Sequence, residues 1–173
     1  WVTGAGTGIG RELALQLARK GWRVAASART AADLDTLVAE SPERITAFKL
    51  DVTDAEASLA VGKAIAAGLG PVDLAIFNAG SYFPTTAAEF SVANFRRTVD
   101  VNLMGTVRML EWARSRPGVK RFVYVSSGSV YRHNGPDWNG EPLPEDGYVA
   151  PLTLYGISKF AAEMITDRYA DLF

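Results

Sequence analysis

The sequence has no cysteine and a single histidine, His133, among its 173 residues. The lack of cysteine excludes disulfides and thiolate metal sites, and one histidine disfavours a histidine-rich metal site or a histidine-dependent relay. The net charge of −1 lacks the basic excess that is typical of nucleic-acid binding. No apolar run approaches the about 18 residues of a membrane span, and the first residues do not resemble a signal peptide. These absences favour a cytoplasmic enzyme or binding domain with no metal, no nucleic-acid partner and no membrane partner.

The residues that are present are typical of one soluble globular domain. Hydrophobic residues make up 48% of the chain and charged residues 21%, and the length predicts a single domain over residues 1–173. Only three residues of a first strand precede Gly4, where about five or six are usual. The last residues, 171–173, lie in a helical pattern without a stop signal. We therefore expect a domain that is truncated at both ends and belongs to a longer chain.

A glycine-rich stretch at residues 3–10 stands between an apolar start and a helical pattern over 11–20. A strand, a glycine turn and a helix N-terminus together present bare N–H groups and a positive helix end to a phosphate. The general fingerprint G-x-G-x-x-G is not met, whereas T-G-x-x-x-G-x-G is met. The candidate phosphate-binding residues are Gly4, Thr7, Gly8, Ile9 and Gly10. The alternative is a plain glycine-rich turn between a strand and a helix.

Strand and helix patterns alternate along the rest of the chain. Further strands are predicted at 22–27, 45–50, 72–77 and 120–125, and helices at 11–20, 31–40, 53–68, 91–115 and from 153 onward. The helix after the third strand is expected to begin in a capping box from Thr53 to Glu56. This alternation predicts an α/β fold with a parallel sheet. The glycine loop after the first strand favours the Rossmann-like, doubly wound type, whose strand order is 3-2-1-4-5.

The end of the second strand is where a dinucleotide domain reads the adenosine ribose. Residues 27–30 contain no carboxylate there, but they contain Arg29. An acidic residue would accept a hydrogen bond from the 2′-hydroxyl of NAD, whereas an arginine can pair with the 2′-phosphate of NADP. The sequence therefore favours NADP over NAD, and an exposed arginine at a strand end is the alternative.

Two of the predicted helices carry polar residues that could take part in catalysis. Asn102 falls on the apolar face of the 91–115 helix, where an amide without partners costs about a kcal/mol or more. Tyr155 and Lys159 are four residues apart, hence on one helix face, after the strand that ends in Ser126 and Ser127. A phenol with an ordinary pKa of about 10 needs a shift of about three units to act near neutrality, and a cation about 4 Å away supplies roughly that much.

The glycine stretch, Asn78-Ala79-Gly80, residues 101–105 and Tyr155 to Lys159 together resemble the short-chain dehydrogenase/reductase family, in its main oxidoreductase branch. The resemblance implies hydride transfer between a nicotinamide and a carbonyl or alcohol substrate. It implies Tyr155 as acid and base, Lys159 as the ribose-holding and tuning residue, Ser127 as donor to the substrate oxygen, and Asn102 as anchor of a relay water. The cofactor-binding residues that it implies are Gly4, Thr7, Gly8, Ile9, Gly10, Arg29, Asp51, Val52, Asn78, Ala79, Gly80, Tyr155 and Lys159, with Asp51 accepting from the adenine amino group.

Part of the second half departs from that branch. Residues 124–131, the proline-containing loop at 128–152 and residues 155–163 look more like the extended branch of the family, which acts on sugar nucleotides. The catalytic serine is therefore open among Ser126, Ser127 and Ser129, and we favour Ser127 because it stands four residues before Tyr131. Aromatic residues among the prolines favour a loop that covers a ligand over an idle insertion.

Three functions remain open from the sequence. The first is an NADP-dependent carbonyl reductase or alcohol dehydrogenase. The second is a sugar-nucleotide epimerase or dehydratase that keeps NAD bound, and the third is a nucleotide-sensing protein without catalysis. Non-catalytic relatives usually lose the Tyr–Lys pair, which this chain retains, so we expect an enzyme. Because relatives commonly form dimers or tetramers, we also expect a homodimer or homotetramer.

Overall fold

A computed structural model of the chain describes residues 1–83, 90–132 and 144–172. The strands are β1 (Val2–Thr3), β2 (Val24–Ala28), β3 (Ile45–Lys49), β4 (Leu74–Phe77) and β5 (Arg121–Tyr124). The helices are α1 (Gly8–Arg19), α2 (Ala31–Glu40), α3 (Ala55–Leu69), α4 (Val92–Val99), α5 (Gly105–Arg114) and α6 (Leu154–Leu172). A π-helical turn, Asp100–Met104, joins α4 to α5, and a 3₁₀ turn, Gly128–Val130, follows β5.

The five strands form one parallel sheet in the order β3-β2-β1-β4-β5, which confirms the predicted fold. β1 pairs with β2 on one side and with β4 on the other. The chain therefore reverses its direction of winding beside β1, and ligands of such sheets bind at the carboxyl edge next to that reversal. Within the ranges that the structure describes, no helix is long and apolar enough to cross a membrane.

Each face of the sheet buries its own apolar cluster. On one face Phe77 packs with Ile65 of α3 and Met109 of α5. On the other face Leu34 and Leu37 of α2 pack with the small residues of α1. Two separate clusters are the consequence of helices that cover both faces of a doubly wound sheet.

The helix boundaries correct two details of the sequence prediction. α1 begins at Gly8, three residues before Arg11, so part of the glycine stretch is already helical. The cap of α3 is Asp54, whose carboxylate accepts from the Ala57 N–H at 2.9 Å, and not Thr53. The reason is that the Thr53 hydroxyl donates to the Asp51 carboxylate at 2.8 Å, which leaves Asp54 to satisfy the helix N-terminus.

The other elements agree with the prediction apart from their ends. β2 begins at Val24 and β4 at Leu74, each two residues later than predicted, because ladder pairing starts there. Ser91 caps the long fourth helix, with its hydroxyl accepting from the Asn94 N–H at 3.4 Å. That helix is not uniformly α-helical, since the π turn interrupts it around Asn102. Such turns are inserted residues that redirect side chains, frequently at functional sites.

The predicted ligand-covering loop at 128–152 is described only in part. Residues 133–143, which include His133 and Trp138, lie outside the described residues, and so do residues 84–89 and 173. At the ends of the loop, Tyr131 and Val149 form an antiparallel bridge. The bridge brings the two ends of the loop together beside the start of α6.

Candidate active site

A cleft opens at the carboxyl edge of the sheet, where the sequence predicts the site. The predicted residues that line it are Gly4, Thr7, Ile9, Arg29, Asp51, Val52, Asn78, Ala79, Gly80, Tyr155 and Lys159. Four predicted residues do not line it, namely Gly8, Gly10, Asn102 and Ser127. The cleft therefore joins the glycine loop at one end to the Tyr–Lys helix at the other.

Glycine is required in the loop for two different reasons, close packing and a positive φ. Gly4 has a φ of +66°, and a Cβ there would stand 2.8 Å from the Ala79 Cα. A Cβ on Gly10 would stand 2.3 Å from both the Gly4 carbonyl oxygen and the Asn78 amide nitrogen. Gly4 and Gly10 thus let the loop pack against the turn after β4. Gly8 has a φ of +56° at the start of α1, a conformation that favours glycine.

The turn after β4, residues 78–80, is tied to the glycine loop. The Thr3 hydroxyl accepts from the N–H groups of Asn78 and Ala79, each at 3.2 Å. The Asn78 side chain donates to the Gly4 carbonyl at 3.2 Å. These bonds link β1 to β4 at the edge of the cleft and hold the turn in place.

The adenosine end of the cleft carries charges of both signs. Burial raises the pKa of the Asp51 carboxyl, but hydrogen bonds from Thr53 and the positive charges of Arg29 and Arg97 outweigh it and lower that pKa. Asp51 is therefore an ionised acceptor near Arg29. Its carboxylate is already hydrogen-bonded by the Thr53 N–H at 3.0 Å and by the Thr53 hydroxyl, which holds it in one orientation.

Asp33 also lines the cleft, and sequence reasoning missed it. A ribose-reading acid is expected at the end of β2, whereas Asp33 lies in the first turn of α2. Its carboxylate oxygen is 3.4 Å from the position that a Cβ on Gly6 would take. Arg11 of α1 holds this turn by donating to the Asp33 carbonyl at 3.3 Å.

The space beside Gly6 fits a phosphate-bearing ligand. A Cβ on Gly6 would stand 3.1 Å from the Cβ atoms of Ala28 and Asp33 and would narrow the cleft. Glycine keeps this backbone bare, next to the N-terminus of α1 and within the same cleft as Arg29. Bare N–H groups, a helix N-terminus and a guanidinium are the donors that a dinucleotide diphosphate and a ribose phosphate bind.

Asn102 is fully buried in the π turn, and its side chain joins two parts of the site. Its carbonyl oxygen accepts from the Ser81 N–H at 2.8 Å, and its amide donates to the Ser81 carbonyl at 3.0 Å. The same amide donates to the Ser158 hydroxyl at 3.0 Å, which in turn donates to the Tyr155 carbonyl at 2.7 Å. Asn102 therefore fixes the turn after β4 against α6.

Lys159 is 3% exposed, although it lines the cleft. Its ammonium donates to the Val125 carbonyl at 2.7 Å. Burial lowers the pKa of Lys159 to about 8, and the charge of Glu163 opposes part of that change. A lysine at this pKa changes its charge near physiological pH, which is common at functional sites.

Tyr155 is half-buried and stands against a second tyrosine that sequence reasoning missed. The rings of Tyr155 and Tyr82 meet edge to face, with centroids 5.3 Å apart and planes at 82°. Tyr82 is 61% exposed and lines the same cleft. Nothing in the spacing of Tyr82 distinguishes it in the sequence, because only the turn after β4 brings it to α6.

The three candidate serines differ in what their atoms do. The Ser127 hydroxyl accepts from the Ser129 N–H at 3.2 Å, so its own proton is available to a substrate oxygen. Ser126 lines the cleft, but its hydroxyl oxygen is buried and has no partner among the described residues. Ser129 contributes backbone to the turn that packs on α6, where a Cβ on Gly156 would stand 2.3 Å from its carbonyl oxygen.

Comparison with known proteins shows the family to which this fold belongs. A family model described as short chain dehydrogenase matches residues 1–122. A second model, described as male sterility protein, matches residues 85–172, which include the Tyr155–Lys159 helix. The chain belongs to the short-chain dehydrogenase family.

Individual relatives are similar over much of the chain. The chain is 36% identical to L-xylulose reductase from Mesocricetus auratus over 98% of its own length and 63% of that protein. It is 38% identical to glycine betaine reductase ATRR from Emericella nidulans over 68% of its length and 9% of that protein. It superposes on a variant of actinorhodin polyketide ketoreductase with NADPH at a TM-score of 0.75, with 27% identity over 96% of the chain and 61% of the other. These relatives are therefore longer than the stretch that the chain matches.

Proposed function

We propose that the protein is an NADP-dependent oxidoreductase that transfers hydride between a nicotinamide and a carbonyl or alcohol substrate. One observation carries the proposal, namely that a single cleft runs from the glycine loop and Arg29 to Tyr155 and Lys159. The family membership and the reductase names of the relatives, L-xylulose reductase and glycine betaine reductase, support it. The glycine loop would hold the diphosphate, Arg29 a 2′-phosphate, Asp51 and Val52 the adenine, and Asn78 to Gly80 the inner half of the cofactor.

The chain's own residues then supply the proton and orient the substrate. A nicotinamide bound in this cleft would supply or accept the hydride at the reacting carbon. Tyr155 gives its phenol proton to the carbonyl oxygen during reduction and removes it during oxidation. The Ser127 hydroxyl donates a hydrogen bond to the same oxygen and keeps its own proton, while its oxygen accepts from the Ser129 N–H. Lys159 stabilises the phenolate that forms and binds the ribose, and Asn102 keeps the turn after β4 and α6 in register.

The preference for NADP rests on Arg29, while Asp33 limits it. A guanidinium pairs with a 2′-phosphate through charge-assisted hydrogen bonds. The Asp33 carboxylate lines the same cleft. It would repel a phosphate and would accept a hydrogen bond from a ribose hydroxyl. The NADPH found with the ketoreductase neighbour supports NADP.

The deciding experiment is a titration of the full-length protein with NADPH and NADH, followed by a panel of carbonyl compounds with the cofactor that binds. We expect NADPH to bind more tightly, and NADPH to be consumed with at least one carbonyl. Tyr155→Phe should bind NADPH as the wild type does and lose turnover by at least about 10²-fold, because the proton donor is removed. Turnover by Tyr155→Phe close to that of the wild type would exclude this role.

A second candidate is an epimerase or dehydratase of the extended branch, which restores its cofactor in each cycle. The spacing of Ser127 before Tyr131 and the change of family model along the chain favour it over a non-catalytic role. The two functions differ in stoichiometry. Net oxidation of added NADPH by a carbonyl substrate indicates the reductase, whereas conversion of a sugar nucleotide without net oxidation indicates the alternative.

We also propose a homodimer or homotetramer. Apolar side chains are exposed on helices next to the site, including Met104 in the π turn and Ile157 and Met164 on α6. Residues 157 and 164 are seven apart, so they share one face of α6. Light scattering of the full-length protein should give two or four copies, and Met164→Lys should reduce that number if this face is the contact.

A further inference from the structure

The Lys159 ammonium contacts two protein groups. It donates to the Val125 carbonyl at 2.7 Å. It also lies over the ring of Tyr124, with Nζ 4.8 Å from the ring centroid. Since Lys159 is only 3% exposed, water contributes little to the solvation of this charge, and the two protein groups take its place.

The Tyr124 ring is itself fixed. Tyr124 is the last residue of β5 and stacks on Phe77, the last residue of β4, with centroids 6.3 Å apart and planes 17° from parallel. Phe77 is fully buried, so one face of Tyr124 rests on the core and the ammonium lies over the ring. The Tyr124 hydroxyl also lies 3.4 Å from the Lys159 carbonyl and donates to it.

The ring acts as a neutral aromatic group. Burial, followed by the charges of Glu163 and Tyr155, raises the pKa of the Tyr124 phenol, so the phenol does not ionise near neutral pH. The face of a neutral aromatic ring attracts a cation, and the attraction grows where water is excluded. The other titratable groups that face this region are Glu163 and Tyr155 from α6 and Tyr82 from the turn after β4.

We propose that Tyr124 is a positioning residue for Lys159, whose charged amine it holds by a cation–π contact against the Val125 carbonyl at the reacting end of the cleft. The importance of this contact for turnover rests on the proposed function. The contact itself concerns only the chain's own residues. Without the ring, the ammonium keeps its hydrogen bond to the Val125 carbonyl and the more distant charge of Glu163 but loses the cation–π contact, so its neutral form is more favoured.

The test varies the ring's charge distribution without changing its shape. Phenylalanine and phenylalanines with one, two or three ring fluorines replace Tyr124 in the full-length protein, and the Lys159 pKa is measured by NMR of ¹³C-labelled lysine without cofactor. Lys159→Met assigns the signal among the five lysines. We expect Tyr124→Phe to change the Lys159 pKa little and the fluorines to lower it stepwise, by about one unit in total. A pKa that is the same across the series would overturn the proposal.

A kinetic readout separates this proposal from the proposed function. Where a carbonyl substrate is found, the pH dependence of kcat/KM should move in the same order as the Lys159 pKa across the series. A protein that binds NADPH with no carbonyl turned over would contradict the proposed function, and the NMR series would still decide the cation–π contact. Thermal unfolding of each variant shows that the fold is kept, and a profile that does not move with the measured pKa would exclude a role of Tyr124 in turnover.

Discussion

At the scale of the residue, polar side chains of the candidate site already form hydrogen bonds with other groups of the protein. The Ser127 oxygen is engaged by the Ser129 N–H, and the Asn102 amide is engaged by Ser81 and Ser158. A side chain that is held in this way loses little further freedom when substrate binds, and such preorganisation is a large part of catalysis.

Ser127 is predicted to be the donor to the substrate oxygen. Ser127→Ala should lower kcat/KM by about 10²-fold, as expected when one preorganised donor is removed. Ser126→Ala should have a small kinetic effect and an unchanged or higher stability, because it removes a buried hydroxyl that has no hydrogen-bond partner in the part of the chain that the structure describes. Steady-state kinetics of both variants decides between them, and a larger loss in Ser126→Ala would reassign the role.

The lowered pKa of Lys159 predicts that the free energy of unfolding depends on pH. Its folded pKa of about 8 lies below its ordinary value of 10.5. Below pH 8 both states carry the proton and burial destabilises the fold in full, whereas between the two pKa values only the unfolded state keeps the proton. Stability due to this group therefore rises with pH in that window, by about 2 kcal/mol between about pH 8 and about pH 10.

The measurement is urea unfolding of the wild type and of Lys159→Met over that pH range. The difference between their free energies of unfolding should move in favour of the wild type as the pH rises. A pH-independent difference would mean that Lys159 keeps its ordinary pKa in the fold.

At the scale of the element, α6 is placed by a glycine. A Cβ on Gly156 would stand 2.3 Å from the Ser129 carbonyl oxygen and 3.0 Å from the Pro151 Cβ. Both distances are below normal contact, so the serine turn can lie against α6 only where this side chain is absent. Gly156 follows Tyr155 directly, and the close packing therefore sets the position of Ser127 relative to Tyr155.

Gly156→Ala is predicted to lower both stability and turnover. An alanine within a helix is favoured over glycine by about 1 kcal/mol, so the substitution would raise stability if the contact with the serine turn were absent. Because the new Cβ displaces that turn, stability should fall instead, and kcat should fall more than NADPH affinity. Gly68→Ala in α3 is the matched control, since a Cβ there meets nothing within 4 Å, and it should be stabilised. Thermal unfolding of both compares the signs, and stabilisation of Gly156→Ala would contradict the packing argument.

At the scale of the whole molecule, the sheet order brings distant parts of the chain to one cleft. β1 lies between β2 and β4, so the glycine loop, Arg29 and the turn after β4 share one edge. α6 reaches the same edge from the far end of the chain, through Lys159 and Val125. A ligand that spans the cleft therefore touches both halves of the sheet and should stabilise the molecule as a unit.

NADPH is predicted to stabilise the folded protein more than NADH does. At about 100 times its Kd a ligand adds about 2.7 kcal/mol, or about 5 to 10 °C in Tm for a chain of about this size. Arg29→Ala should remove most of the difference between the two cofactors, because the 2′-phosphate loses its cation. Arg19→Ala, on the exposed end of α1, should keep it. Equal shifts with NADPH and NADH in the wild type would count against NADP preference.

Much of this molecule could be predicted from its sequence, because the informative signals are local. The alternation of strand and helix patterns predicted the parallel sheet, and the glycine loop predicted the dinucleotide-binding strand order, both of which the structure confirms. The glycine spacing and the Tyr155–Lys159 spacing located the two ends of the cleft, since each pair or turn is set by neighbours in the chain. Local patterns failed at α3, where the choice between Thr53 and Asp54 as cap depended on the Asp51 carboxylate.

The sequence alone thus determined the fold class, the glycine loop and the residue types of the site, because backbone conformation and helical spacing are local properties. Only the tertiary structure decided which groups meet across the chain. It placed Asp33 beside Gly6, Tyr82 against Tyr155 and Tyr124 under Lys159. The physical reason is that burial and side-chain contacts depend on elements far apart in the sequence, and no local pattern encodes the distance between them.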